Sequence, residues 1–148
     1  MKRFPLATVL RIRKRREDAA QAALGELNRQ QAQIQQQLRG QQDRIQMARD
    51  LRRGCLSDRV DMNVLRAEAA AEMQFMKVGH GLLLELSHVH GRTEAARLEL
   101  LEASRSRQVI EHLESIHQER QRQHDIRQEQ RLLDDLVNSG AFKRSYFS

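Results

Sequence analysis

From residue 6 to residue 48, the apolar side chains Leu6, Leu10, Ala20, Leu24, Leu27, Ile34, Leu38, Ile45 and Ala48 recur at intervals built from threes and fours. That repeat draws one narrow stripe along an α-helix, which requires a second helix to cover it. Arg13, Glu17, Gln31 and Gln41 interrupt the stripe, so the seam is a weak one. A compact globular core is excluded on other grounds as well. Aromatic residues make up only 3% of the chain and hydrophobic residues 39%, too few bulky side chains to fill an interior. The residues that remain, rich in glutamine, alanine, leucine and arginine, suit long helices.

The pattern breaks at "RRGCLSDRVD". Arg52 and Arg53 suit a helix C-terminus, Gly54 a left-handed cap, and Ser57 or Asp58 the start of a new helix. The expected architecture is therefore all-α, one antiparallel two-helix coiled-coil hairpin spanning 1–148. It has a first helix over about 4–54, a turn over about 54–58, a longer second helix over about 58–138 and a flexible aromatic tail over 139–148. On the second helix Met62, Leu65, Ala69, Met76, Leu83 and Leu86 continue the spacing. Gly79, Gly81 and Gly91 lie within it, each costing about 1 kcal/mol relative to alanine, so a bend or frayed turn is expected there. With the turn centred near residue 56, Phe4 falls beside residues near 108 and the rest of the second helix overhangs. "HQERQRQHDIRQEQR" at 117–131 agrees, because it holds a single apolar residue, Ile126. "LLDDLVNSGAF" then regains apolar character before a cap-like Gly140.

Sites of chemistry are missing from the sequence. It has no phosphate-cradling glycine loop, no cysteine pair, no HExxH and no serine elbow, and it reads as a protein that is not an enzyme and takes no cofactor. Metal binding would require two of His80, His88, His90, His112, His117 and His124 three or four residues apart on one face, and none is so spaced. Cys55 is alone, which fits a reduced, cytoplasmic setting. The opening Phe4 to Leu10 is too short for a secretion signal and precedes its positive charge instead of following it. "GLLLEL" at 81–86 falls far short of the ~20 residues needed to cross a bilayer.

A net charge of +6 and a pI near 10.4 predict attraction to acidic partners. Arg11, Arg13, Lys14, Arg15 and Arg16 bring a nucleic-acid-binding basic coiled coil into contention. In such proteins, however, the basic helix runs free ahead of its dimer seam, whereas Leu6 and Leu10 are already on the stripe here. No nucleic acid is therefore expected as a partner, and protein contacts or a solvated face are the preferred readings. Phe142, Tyr146 and Phe147 crowd the end of the chain and could anchor in a partner's pocket. Met62, Leu65, Met73, Phe75 and Met76 form the other apolar concentration, read first as seam packing.

The start "FPLATVLRIRKRREDAA", the Gln-rich first helix, the longer second helix and the closing "RLLDDLVNSGAF" together resemble the FliJ family, the small coiled-coil protein of the flagellar type III export apparatus. The resemblance implies a hairpin similar to the rotor stalk of rotary ATPases. Its partners would be the hexameric export ATPase (FliI-like), whose ring the terminal end enters and whose assembly it promotes, the export gate protein (FlhA-like) and export chaperones. It would be cytoplasmic, peripheral at the inner face of the cell membrane through these partners. Carried onto this chain, ring contact falls on Phe4, Leu6, Val9, Leu10, Arg11, Arg13, Lys14 and Arg16 and on Leu132, Leu133, Leu136 and Phe142. Gate contact falls on Leu65, Ala69, Phe75 and Met76. A homologous stalk of a virulence injectisome is the alternative within the same architecture.

Overall fold

The computed structural model describes residues 3–55 and 61–146, the side chains of Cys55 and residues 141–146 excepted. Helix α1 runs over Ala7–Cys55 and α2 over Met62–Tyr146, and the described residues contain no strand. The two helices pack against each other as an all-α hairpin. Phe4, Pro5 and Leu6 form the turn that launches α1: the Ala7 amide donates to the Phe4 carbonyl at 3.2 Å, and the Leu10 amide to the Leu6 carbonyl at 2.9 Å. The fixed φ of Pro5 suits this position, where a missing N–H costs no helical bond.

The boundaries differ from the sequence expectation in three places. Gly54 does not end α1 with a left-handed cap; it is helical, and no described glycine has a positive φ. The proposed caps Ser57 and Asp58 lie outside the described residues. Asp61 starts α2 instead, its carboxylate accepting from the Asn63 amide at 3.0 Å and its carbonyl from the Leu65 amide at 3.1 Å. Helix α2 continues through Gly79, Gly81, Gly91 and Gly140 to Tyr146, so helix stands at the expected break, at the cap and over residues 139–146 of the expected tail, whose last two residues lie outside the described ones. The glycines permit this because an isolated glycine weakens a helix without stopping it.

The contacts of the chain group into two units, residues 18–101 and residues 1–17 with 102–148. In the first, Ala20, Leu27 and Ile34 of α1 and Val89 and Thr93 of α2 are buried, and Leu24, Leu38, Ile45 and Ala48 are half-buried beside them. The apolar stripe of α1 is thus the seam that its spacing predicts. The fully buried Thr93 satisfies its hydroxyl by donating to the Val89 carbonyl one turn earlier, at 2.8 Å.

The stripe of α2 is out of phase with its sequence reading. Leu65 and Leu86 face inward, but Met62, Ala69, Met76 and Leu83 are exposed. Half-buried Glu68, Glu72, Phe75, Gly79 and Leu82 take their place. A coiled-coil seam has to keep one phase along the helix. On α2 that phase is the one carrying Leu82, Leu86, Val89, Thr93, Ala96 and Leu100, and followed back toward the turn it turns two glutamates and a glycine inward.

In the second unit, Leu10 of α1 and Ala103 and Ile110 of α2 are buried, with Leu6 and Val9 half-buried. The Phe4 ring rests on His117, centroids 5.5 Å apart, and not beside residue 108. Because α1 runs to Cys55 and α2 begins only at Met62, facing positions on α2 lie further along the chain than a turn centred at residue 56 implies.

Candidate interaction surfaces

The terminal unit brings together most of the expected ring-contact residues, but in two different roles. Leu10 is buried and Phe4, Leu6 and Val9 are half-buried against α2, so these side chains hold the two helices together. Arg13 is half-buried too, and its guanidinium donates to the Ser106 carbonyl at 2.9 Å. Next to it, Arg107 of α2 donates to both Glu17 and Glu111, the latter at 2.6 Å. These bonds, to Glu17 first and Glu111 second, raise the Arg107 pKa above its ordinary value. Lys14 stands 3.9 Å from Glu111 at the rim of the same cluster.

Two of the four polar interruptions read from the α1 stripe are therefore occupied seam positions, Arg13 meeting a carbonyl and Glu17 a guanidinium. Arg11, Lys14, Arg15 and Arg16 are the members of the basic run that reach solvent. Arg107 and Glu111 were not among the residues singled out by the sequence, although their spacing of four on a helix is a signal of pairing.

Beyond Gln121 the surroundings change. Every described side chain from Arg122 to Gly140 is exposed, including Leu132 at 63%, Leu133 at 61%, Leu136 at 67% and Val137 at 67%. The overhang thus begins after residue 121 and not near 108. Phe142 lies outside the described side chains. Just before the start of α1, a cleft of about 620 Å³ opens, lined by Phe4, Glu114, His117, Gln121 and Ile126. The Nε2 atom of His117 is buried there without a hydrogen-bond partner.

The expected gate residues lie on two faces. Leu65 and Phe75 turn toward α1, and Ala69 and Met76 toward solvent. Between them Glu72, 13% exposed at its side chain, accepts from Arg49 at 2.9 Å and lies 3.0 Å from Arg52. The hydrogen bond from Arg49 is the main reason its carboxyl pKa is lowered, and burial opposes the shift. Sequence reading missed this cluster because the misphased stripe left Glu72 on the outside.

Among the described residues no group of three or more His, Cys, Asp or Glu side chains could hold a metal ion, and no helix is long and apolar enough to cross a membrane. The family model described as flagellar FliJ protein matches residues 1–145 of the chain. No curated protein and no solved structure matches it.

Proposed function

Because the chain belongs to the flagellar FliJ family, and is thereby a component of the flagellar export apparatus, we propose that it acts there as a stalk and not as an enzyme. In this reading the terminal end inserts into the ring of the hexameric export ATPase, promotes its assembly and couples it to the export gate. Escort of export chaperones belongs to the same proposal, as does a cytoplasmic position at the inner face of the membrane, held through partners.

The observation that supports ring insertion best is the exposed stretch after Gln121. Four large apolar side chains, Leu132, Leu133, Leu136 and Val137, stand more than half exposed on a helix that has no facing helix among the described residues. Hydrophobic surface of that kind marks a place of contact with another protein. Arg11, Lys14 and Arg16 provide a basic flank that suits an acidic channel wall. Phe4, Leu6, Val9, Leu10 and Arg13 serve by holding the end rigid, with Phe4 also lining the cleft beside the overhang. At the gate, Ala69 and Met76 are the contact residues and Leu65 and Phe75 position them from the seam.

Measuring hydrolysis and hexamer assembly of the cognate export ATPase with this chain, without it and with an L133D/L136D variant tests the proposal. The intact chain is expected to stimulate both. The variant is expected to lose that effect while changing the stability of the isolated hairpin by less than about 0.5 kcal/mol, since both side chains are solvent-exposed. Equal stimulation by the variant would remove the overhang from the contact, and no stimulation by the intact chain would defeat the stalk reading.

A further inference from the structure

Within residues 18–101 the quality of the seam changes abruptly. The buried side chains of that unit, Ala20, Leu27, Ile34, Val89 and Thr93, all lie on the side away from the turn. From Leu38 to Gly54 on α1 and from Asp61 to Leu86 on α2, no described side chain is buried. The transition coincides with Gln41 of α1 and Gly79 of α2, both on the seam.

Four features at this level weaken the pairing. Gly79 presents no side chain to α1, and a Cβ built on it would meet nothing within 4 Å. Gly40 and Gly81 stand close by in the two helices, equally open. The Gln41 side chain, which lies between the helices here, has its Oε1 buried without a hydrogen-bond partner, a net cost to the pairing. Finally, clefts open on both flanks of Gln41. One of about 230 Å³ is lined by Leu38, Ile45, Met76, Gly79 and Leu83, and one of about 340 Å³ by Gln37, Gly40, Arg44, Val78 and Leu82. Side chains that border such gaps forfeit dispersion contacts on one side.

Past this level toward the turn, Glu68 also has a buried Oε2 without a hydrogen-bond partner, but the pairing recovers through Glu72 with Arg49 and Arg52, and through half-buried Ala48, Leu65 and Phe75. A weak stretch lies between two held ones. Bending of paired helices concentrates where packing is poorest and where glycine lowers the cost of distorting the backbone. We propose that the hairpin carries a flexible joint at Gln41 and Gly79, at which both helices bend together while the stretches on either side stay paired.

The joint can be read with two nitroxide labels on α2, at Met62→Cys and Leu98→Cys in a Cys55→Ser background. Both positions are exposed and ten turns apart on one face, about 54 Å along a straight helix. The parent chain is expected to give a broad distance distribution, narrowed by G40A/G79A/G81A and by Gln41→Leu. The control G25A/G91A, whose glycines are equally open, is expected to leave the width unchanged. Hydrogen exchange gives a second readout: amides of residues 76–83 exchange faster than those of the flanking turns, and the triple alanine variant slows them about tenfold or more. A narrow distribution in the parent, or equal narrowing by the control, would overturn the joint. So would uniform exchange from residue 62 to residue 101.

Discussion

The stretch containing Leu27, Ile34, Val89 and Thr93 and the stretch containing Arg13, Glu17, Arg107 and Glu111 are built from the same two helices in the same antiparallel arrangement. The first is sealed by side chains 1–8% exposed, whose polar member satisfies itself within its own helix. The second pairs ions across the seam and along α2. The lesson is that one coiled-coil stripe divides two tasks. Apolar layers supply most of the stability and tolerate a slip in register, because one aliphatic residue packs about as well as the next. A guanidinium that needs a particular carboxylate does not tolerate the slip.

The strongest way to break this comparison is at the apolar layer. Ile34→Ala is expected to cost about 2–4 kcal/mol, read as a lower urea midpoint with unchanged slope, because the cavity has helix on only two sides and still loses its aliphatic filling. A loss below about 0.5 kcal/mol, typical of a surface position, would mean that the seam is not where stability resides. An intermediate effect is expected at the charged layer. Glu17→Arg alone and Arg107→Glu alone should each lower the midpoint by placing like charges together, and the double exchange should recover most of the loss. Additive losses would show that no specific pairing exists.

The smallest effect concerns Glu72, which sharpens the contrast by placing an ion cluster on the more weakly packed side of Gln41. Pairing with Arg49 lowers the carboxyl pKa in the folded chain below its ordinary value of 4.5. The contribution to stability is therefore complete above that value and is lost as the pH falls through the folded one. Glu72→Gln should differ from the parent at neutral pH, and the difference should shrink in strongly acidic solution. A difference that is constant with pH would assign the role of Glu72 to packing alone.

Much of this was legible in the sequence of α1. All nine apolar positions read from its spacing are buried or half-buried, and its polar interruptions are the seam's polar layers. The second helix was less legible because it carries more apolar residues than its seam uses. Met62, Met76 and Leu83 make as good a local stripe as Leu65, Phe75 and Leu82, and nothing within 62–86 distinguishes them. The candidate contact residues divided for the same reason. Side chains nominated together, such as Leu10 and Arg11 or Phe75 and Met76, are neighbours in sequence, and on a helix neighbours point about 100° apart.

The sequence by itself determined that this chain is helical, that it folds back once and that its second helix outlasts its first. Those properties follow from local quantities: a three-and-four spacing, a break near residue 56, a scarcity of aromatics and an apolar-poor stretch before Leu132. Only the tertiary structure decided the phase of α2, the residue that Phe4 meets and the inward turn of Glu72 and Gly79. Each of these depends on which turn of one helix faces which turn of the other. That choice minimises the free energy of the whole seam at once, so no short segment contains it.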